Sequence, residues 1–471
     1  MNETIEQLEI VDAGSEGMAV GRSGDLVVFV PFVVPGDVID VKIVKKKKSF
    51  AEGRVIKIHR YSERRVDPWC SHFGICGGCR WQNMRYEDQL FFKQKQVSDN
   101  LIRIGKLHDP VIRPILPSPA VTHYRNKLEF TFSNHRWLTG DDKPEAGRLP
   151  HTNALGFHVP QFWDKVVDIR ECFHQPEPSN AIRNAVRDYA LQHRLSFYDA
   201  RTWTGYLRNL IIRNSRSGEV MVIVVVRDRD EKKLLPLLDH IHESFPAVTS
   251  LYNVINPKQN DAIGDLGFHL YKGSPYITET LKPFREGGQE IRYRIGPASF
   301  FQTNPGQAEN LFRLTAEYSR LKGTETVYDL YSGTGAMANY IAPYAGKVVG
   351  IESFSQASED AEENAALNGI TNAIFFTGET ETVLTPEFIA GQGKPDVIIT
   401  DPPRSGMHER VVKAILEAAP ERLVYVSCNP ATQARDIAWL SEQYRFTECQ
   451  PVDMFPHTQH VENITLLERA V

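Results

Sequence analysis

The chain has 471 residues, of which 41% are hydrophobic and 24% charged, with a formal net charge of −5. This composition is typical of a globular protein of about three domains and excludes a disordered, collagen-like or coiled-coil chain. The longest apolar runs, at 26–34 and 220–226, are much shorter than the roughly 20 residues that cross a membrane. The first sixteen residues carry acids and no Lys or Arg, unlike a secretory signal, so we expect a cytoplasmic protein.

The N-terminal segment combines short β-type runs with a change of charge. Residues 1–40 hold eight acidic residues and one basic residue, whereas residues 41–65 hold ten Lys or Arg and two Glu. Between Leu8 and Ile58, five short apolar runs separated by Gly and Pro predict a small β-barrel. Lys45–Lys48 fall at a turn between two of these strands, which predicts either a solvated loop or a contact with RNA phosphates.

Three cysteines, Cys70, Cys76 and Cys79, lie within ten residues, and Cys172 follows after a long interval. Disulfides are rare in the cytoplasm, so this pattern predicts ligands of a metal ion or of an iron–sulfur cluster. Four cysteines that include one close CxxC pair also suit zinc, which is the chemical alternative. The two glycines between Cys76 and Cys79 let backbone N–H groups face cluster sulfurs, and we therefore favour a four-iron four-sulfur (4Fe-4S) cluster.

The next segments predict a helix and then a mixed region. Residues 85–104 have the periodicity of an amphipathic helix whose apolar stripe faces the core. From residue 112 to about 293, strand-like runs such as NKLEFTFS and EVMVIVVVRD predict an α+β region. The stripe of the helix comprises Tyr86, Leu90, Phe91, Val97, Leu101 and Ile104.

From Thr324 onward, strand-like and helical segments alternate regularly, which predicts a doubly wound, mainly parallel α/β sheet. Ligands of such sheets bind outside the carboxyl ends of the strands, so we expect the chemistry of the protein at that edge. The predicted strands are 327–331, 347–351, 373–376, 396–400 and 423–427.

The first two of these strands end in a pattern that suits a nucleoside ligand. DLYSGTG follows the first strand, where Gly333 and Gly335 let a ligand approach the backbone, and the second strand ends at Glu352. An acid about 20 residues after such a turn binds ribose hydroxyls. There is no third glycine completing GxGxxG, which argues against NAD, whereas one GxG followed by an acid suits S-adenosylmethionine. A tight turn and a surface glutamate are the alternative interpretation.

Two later strands end in residues whose side chains can take part in a reaction. Asp401 begins DPPRSG, a stiff rim similar to the D/N-P-P-Y element of amino methyltransferases, but with Arg404 in place of the aromatic residue. The fifth strand is followed by Cys428, whose thiol we expect to be activated by the N–H groups of the next helix. Glu462 can return a carboxylate to the same cleft, with a solvated edge-strand residue as the alternative. Cys449 is interpreted as a core residue.

Seven motifs in order resemble those of the bacterial RNA (uracil-5)-methyltransferases over nearly the whole chain: CSHFGICGGC, FFQTN, DLYSGTG, VGIE, DPPRSG, YVSCNPAT and HVENITLL. The N-terminal barrel resembles the TRAM RNA-binding module of that family. The resemblance implies that Cys428 is the nucleophile and Glu462 the base. It also implies a 4Fe-4S cluster on Cys70, Cys76, Cys79 and Cys172, and contacts to S-adenosylmethionine from Gln302, Tyr331, Glu352 and Asp401, beside Gly333.

The chemistry of uracil explains these residue types. Carbon 5 is a poor nucleophile, so addition of a thiolate at carbon 6 creates an enolate that can accept a methyl group. A carboxylate must then remove the proton from carbon 5 before the cysteine leaves. A paired base cannot reach a cleft of this kind, so the uridine has to lie in a loop or be flipped out, with Phe300 as a candidate stacking face.

The resemblance also bears on the substrate and on the domains. Members with both TRAM module and cluster act mostly on 23S rRNA, which is the favoured partner, with tRNA as the alternative. A non-catalytic RNA-binding ribosome-assembly factor conflicts with the intact Cys428 and Glu462, and a radical methylthiotransferase lacks its CxxxCxxC. We expect a monomer made of a TRAM-like barrel (1–64), a central α+β domain with the cysteines (65–292) and a methyltransferase domain (293–471).

Overall fold

The computed structural model describes residues 3–139 and 152–470. The predicted domain ranges also include residues 1, 2, 140–151 and 471, which lie outside the described residues. Within the described part of the chain, no helix has the length and the apolar character needed to cross a bilayer.

The N-terminal strands form a closed five-stranded barrel in the order β1-β2-β3-β5-β4. Alternate side chains of each strand point inward, as a barrel requires, and Leu8, Val28 and Ile39 are among those that fill its core. The predicted small barrel is thus confirmed. Its strands are β1 (Thr4–Ala13), β2 (Met18–Ser23), β3 (Leu26–Pro31), β4 (Val38–Lys46) and β5 (Phe50–Arg60).

The predicted amphipathic helix is α1 (Tyr86–Arg103), which follows the loop of the first three cysteines. Its buried residues include Phe92, Val97 and Leu101. Phe91, expected in the apolar stripe, is 55% exposed, and the neighbouring Phe92 is buried instead. Adjacent helical residues point about 100° apart, so a small rotation of the helix about its axis decides which of the two phenylalanines faces the core.

The central region is a seven-stranded sheet in the order β12-β11-β10-β9-β6-β7-β8, antiparallel except for the parallel pair β10–β11. Two helices cover one face, and the other face joins the core of the C-terminal region, so that β10 is buried along its whole length. The elements are β6 (Lys127–Ser133), β7 (Ala154–Val159), β8 (Phe162–Asp168), α2 (Ser179–Gln192), β9 (Leu207–Asn214), β10 (Val220–Val226), α3 (Glu231–Ser244), β11 (Val248–Ile255) and β12 (Phe268–Gly273).

A hairpin and a helix lead into the C-terminal sheet. The hairpin strands β13 (Ile277–Leu281) and β14 (Ile291–Ile295) pair with each other, and α4 (Pro305–Ser319) follows them. The C-terminal sheet has seven strands in the order β17-β16-β15-β18-β19-β21-β20, and the first five are parallel. The last two strands are antiparallel to their neighbours. This is the predicted doubly wound sheet, extended by an antiparallel pair.

All five predicted strands of this sheet are present, and the observed ends differ from the predicted ones by one residue at most. The elements are β15 (Thr326–Leu330), α5 (Ala336–Ile341), β16 (Lys347–Glu352), α6 (Ser355–Leu367), β17 (Ala373–Thr377), α7 (Thr380–Val383), α8 (Pro386–Gln392), β18 (Val397–Thr400), α9 (Glu409–Ala418), β19 (Arg422–Ser427), α10 (Pro430–Leu440), β20 (Tyr444–Val452) and β21 (Glu462–Arg469).

Candidate active site

A pocket of about 70 Å³ opens at the carboxyl ends of β15 and β18. Four of the predicted cofactor residues line it together: Gln302, Tyr331, Gly333 and Asp401. Gly333 has a φ of +55°, and a Cβ built there meets no atom within 4 Å, so the backbone borders open space. The fold therefore brings residues that are up to 99 positions apart in the sequence to one cleft.

Glu352, the fifth predicted cofactor residue, ends β16 beside this pocket. Its Oε2 accepts a hydrogen bond from the N–H of Gly333 at 2.9 Å, and its Oε1 accepts one from the N–H of Phe354 at 2.9 Å. These bonds fix the carboxylate in place. Oε1 also accepts a hydrogen bond from Oγ of Ser353 at 3.2 Å, but Oε2 has a second lone pair, so Glu352 can still accept a hydrogen bond from a ribose hydroxyl.

Asp329 is a site residue that the sequence did not single out. The side chain is 2% exposed at the end of β15, and its Oδ2 has no hydrogen-bond partner among the described residues. Burial, together with the nearby Asp401, raises the pKa of this carboxyl to about 8. A buried oxygen without a partner at the floor of a pocket is suited to a polar or positively charged ligand.

Cys428 and Glu462 lie side by side at the edge of this cleft. Cys428 follows the last residue of β19, and Glu462 is the first residue of the antiparallel β21, in a register that pairs Ser427 with Asn463. Glu462 is 6% exposed on a strand between β19 and β20, so it is not a solvated edge-strand residue. Burial and the charge of Asp401 raise its pKa to about 8.

The expected activation of the Cys428 thiol by the following helix was wrong. Burial, followed by the negative charges of Glu462 and Asp401, raises the pKa of this thiol to about 11. The first residue of α10 is Pro430, which has no N–H group, and the N–H of Ala431 donates to Oδ1 of Asn429 at 3.1 Å. The start of the helix therefore has no N–H group free at these positions to stabilise a thiolate.

Arg404, and not the start of the helix, is the group that stabilises the Cys428 thiolate in the structure. Its guanidinium lies beside Cys428 and Glu462 and lowers the pKa of both groups, against the effect of burial. The same guanidinium lies 3.3 Å from Nδ1 of His460, measured from Nη2, and the carbonyl oxygen of Arg404 accepts a hydrogen bond from Nδ2 of Asn429 at 2.9 Å. The sequence contained the residue but gave no sign of its proximity to Cys428.

The four predicted cluster ligands, Cys70, Cys76, Cys79 and Cys172, line one cavity of about 140 Å³. The N–H of Gly78 donates to Sγ of Cys76 at 3.4 Å, as expected for a loop that wraps around sulfurs. Burial raises the pKa of all four thiols. Within residues 3–139 and 152–470, however, no group of three or more His, Cys, Asp or Glu side chains is arranged to hold a metal ion.

The basic run of the barrel only partly lies at the predicted turn, because Lys45 and Lys46 end β4 and only Lys47 and Lys48 lie between β4 and β5. Most of its charges have partners. Nζ of Lys45 is 2.8 Å from Oε1 of Glu52, and Nζ of Lys46 is 2.7 Å from Oε1 of Glu3. Nζ of Lys47 lies 5.2 Å from the centre of the Phe50 ring. Ion pairs exposed to this degree are weak, so RNA phosphates can compete for these lysines.

Comparisons with known proteins match one family to the C-terminal part of the chain and one domain to its N-terminal part. Residues 269–470 match the family described as tRNA (Uracil-5-)-methyltransferase, and residues 4–56 match the TRAM domain. A protein of Bacteroides thetaiotaomicron named as an uncharacterized RNA methyltransferase is 52% identical over 457 residues, which are 96% of this chain and 99% of the relative. A protein of the same description from Porphyromonas gingivalis is 49% identical, over 98% of this chain and 99% of its own length.

A solved structure is similar over the full length. The tRNA (uracil-54, C5)-methyltransferase of Pyrococcus abyssi, in complex with S-adenosyl-L-homocysteine, superimposes with a TM-score of 0.72 at 29% identity, over 99% of this chain and 100% of that one. This likeness confirms the predicted fold, a Rossmann-like methyltransferase domain preceded by a TRAM barrel and a central α+β region. The chain therefore belongs to the RNA (uracil-5)-methyltransferase family and is an S-adenosylmethionine-dependent RNA methyltransferase.

Proposed function

We propose that the protein methylates carbon 5 of a uridine in RNA through a covalent adduct between Cys428 and carbon 6. The observation that carries this proposal is the adjacency of the Cys428 thiol and the buried Glu462 carboxylate at the edge of the pocket. A nucleophile and a proton acceptor on the same side of one cleft are what the two halves of the reaction need.

We infer that S-adenosylmethionine binds in the pocket of Gln302, Tyr331, Gly333 and Asp401, with Glu352 facing the ribose. The open space at Gly333 and the unpartnered Oδ2 of Asp329 support this fit. When bound, this cofactor supplies a methyl group on a positively charged sulfonium. A positive charge is favoured here because it stabilises the ionised form of carboxyls such as Asp329, whose pKa burial otherwise raises to about 8.

Each step of the proposed reaction has its own residue. The thiol of Cys428 releases its proton to solvent water and the resulting thiolate forms a bond to carbon 6, while the electrons of the carbon 5–carbon 6 double bond move to the carbonyl oxygen at position 4. Carbon 5 then bonds to the methyl group, whose former bonding pair stays with the departing thioether. Glu462 in its ionised form takes the proton from carbon 5, the double bond re-forms, and the bond to Cys428 breaks with its electron pair returning to sulfur.

The target base has to leave its RNA stack to reach Cys428. Phe300 lines the same pocket and is 65% exposed, which is unusual for an aromatic side chain beside a cleft. We infer that a flipped uracil stacks on this ring, since an exposed aromatic face replaces the stacking lost from the RNA.

Replacement of the nucleophile tests the proposed function. Cys428→Ala should bind S-adenosylmethionine and RNA but transfer no methyl group, because carbon 5 is not activated without the adduct. Radiolabelled methyl transfer to RNA from a strain lacking the protein measures this. Cys449→Ala, at a cysteine buried in the core away from the pocket, is the matched control and should retain transfer. Transfer by Cys428→Ala near the wild-type rate contradicts the proposal.

We propose 23S rRNA as the substrate, supported by the combination of a TRAM domain and four cysteines around one cavity. A tRNA is the second candidate, because the similar protein of Pyrococcus abyssi is a tRNA (uracil-54, C5)-methyltransferase. Mapping of 5-methyluridine in rRNA and tRNA from a deletion strain separates the two. A modification lost from 23S rRNA supports the first, and one lost from tRNA alone contradicts it.

We further propose that Cys70, Cys76, Cys79 and Cys172 hold a 4Fe-4S cluster. The shared cavity and the N–H group directed at Cys76 support this proposal.

The domain ranges 1–64, 65–292 and 293–471, the monomeric state and the cytoplasmic location stay predictions.

A further inference from the structure

A groove of about 640 Å³ lies on the outer side of the cysteine loop (residues 70–79). Gly77, Gly78 and Arg80 form one wall and residues 157–163, at the turn of the β7–β8 hairpin, form the other. We call it the hairpin groove. A Cβ on Gly77 would lie 3.0 Å from the carbonyl oxygen of His158, so the two walls meet closely at the floor. Gly78 and Phe157 border both this groove and the cysteine cavity.

The lining of the hairpin groove combines exposed aromatic rings with a positive charge. Trp163 is 66% exposed and Phe162 45%, whereas side chains of this size are normally buried. Arg80 supplies a guanidinium, and none of the described residues that line the groove is acidic. Exposed aromatic faces beside an arginine are the chemistry with which proteins bind unstacked nucleotides, by base stacking and by phosphate attraction.

The position of Arg80 connects the groove with the parts of the protein that meet RNA. Its N–H donates to the carbonyl oxygen of His457 at 2.9 Å, in the loop that leads through His460 to Glu462. On the barrel side, a Cβ at Gly17 would lie 2.7 Å from Cβ of Arg80, so the turn before β2 packs directly on this residue. Arg80, in one wall of the groove, thus contacts the TRAM barrel on one side and the loop before β21 on the other.

We propose that the hairpin groove binds an unstacked nucleotide of the RNA substrate other than the target uridine, with its base on Trp163 and its phosphate near Arg80. This proposal rests on the proposed function, since it adds a second contact to the same RNA. It also assigns a structural role to the four cysteines, because a group bound by them would hold residues 70–79, and with them one wall of the groove, in place.

Binding of single-stranded RNA without cofactor tests the proposal and is independent of methyl transfer. The probe is a fluorescent decamer of adenosines and uridines without self-complementarity, titrated with the full-length protein. A base–aromatic stack contributes about 1 to 3 kcal/mol, so Trp163→Ala should weaken binding about fivefold to 150-fold. Trp163→Phe should restore most of the affinity. Arg80→Gln should make the plot of log affinity against log salt concentration shallower, by about 0.7 in slope.

Trp439→Ala is the matched control, because this tryptophan is 41% exposed near the far end of α10, away from the groove. It should bind the decamer as the wild type does, and all variants should bind S-adenosylmethionine equally. Wild-type affinity of Trp163→Ala, or equal weakening by Trp439→Ala, would overturn the proposal. So would a change in oligomeric state of Trp163→Ala with unchanged RNA affinity, which would make the groove a protein interface. Failure of Cys428→Ala to lose transfer affects only the proposed reaction.

Discussion

At the scale of single residues, the reaction depends on the protonation states of Cys428 and Glu462 as well as on their positions. Glu462 and Cys428 are both buried, and the negative charge of Glu462 opposes ionisation of the neighbouring thiol. Arg404 is the positive group beside both, and it lowers the pKa of each. The thiolate needed for attack therefore depends on a cation that stands 24 positions away in the sequence.

The raised pKa of Glu462 makes a prediction about stability. Its pKa is about 8 in the folded protein against an ordinary value of 4.5, so between these values the folded state holds a proton that the unfolded state has lost. The resulting stabilisation is complete below pH 4.5 and is lost as the pH rises through 8. Glu462→Gln removes this dependence. Between pH 5 and pH 9, the unfolding free energy of the wild type should therefore fall by about 2 to 5 kcal/mol more than that of the variant.

Urea unfolding at the two pH values measures this difference. Glu468→Gln is the control on the same strand, because the pKa of Glu468 is lowered, chiefly by the hydrogen bond from Thr447. It should not reduce the loss between pH 5 and 9. An equal loss in Glu462→Gln and in the wild type would show that Glu462 is hydrated and ionised in the folded protein.

At the scale of elements, periodicity alone predicted the type and order of the strands in the C-terminal sheet. Alternation of buried strands and helices is a local pattern, and it gave ends correct to one residue. The side chains that face the core were harder to predict, as the exchange of Phe91 for Phe92 on α1 shows. A helical stripe defines its orientation only to within one residue, and the contacts of α1 with α10 and β20 decide the rest.

One buried ion pair joins α1 to the loop before β21. Nζ of Lys93 is 2.5 Å from Oδ1 of Asp453, both side chains are fully buried, and Nζ also donates to the carbonyl oxygen of Phe455 at 3.0 Å. Tyr86 donates to the other oxygen of Asp453 at 2.8 Å. The loop that follows carries His457 and His460 and ends at Glu462, so this pair anchors the catalytic loop.

Lys93→Met should destabilise the protein by about 3 to 5 kcal/mol, because it leaves the charge of Asp453 buried without a partner. Thermal unfolding measures the effect. The double variant Lys93→Met with Asp453→Leu should recover part of the loss, since no unpaired charge remains. Lys95→Met is the control for a half-exposed pair on the same helix, and it should cost less than about 1 kcal/mol. A loss of that small size in Lys93→Met would contradict the assigned role.

At the scale of the whole molecule, the sites depend on contacts that no local pattern contains. The sequence named Cys428 and Glu462, but only the antiparallel insertion of β21 beside β19 brings them together. Cys172 joins the cysteine loop from the far edge of the central sheet in the same way. Asp329 and Arg404 were not assigned roles for the same reason, because a carboxylate or guanidinium acquires its role from neighbours that are distant in the chain.

The proposed cluster is a prediction about the whole molecule, since it would tie the cysteine loop to the central sheet. Protein purified without oxygen should contain about four iron and four sulfide per chain and absorb broadly in the visible range. Cys76→Ala should lose most of the iron, whereas Cys449→Ala should keep it. Stoichiometric zinc without iron or sulfide would contradict the cluster and restore the zinc alternative.

The central claim is that Cys428 acts before methyl transfer and Glu462 after it. Glu462→Gln should therefore form the adduct and accept the methyl group but fail to remove the proton from carbon 5, so that the RNA stays attached. The most direct measurement is a denaturing gel of this variant incubated with RNA from the deletion strain and methyl-labelled S-adenosylmethionine. A slowly migrating protein–RNA band that carries the label, and that disappears when Cys428 is also replaced by Ala, is the predicted result. Normal turnover of Glu462→Gln without a trapped species would contradict the account.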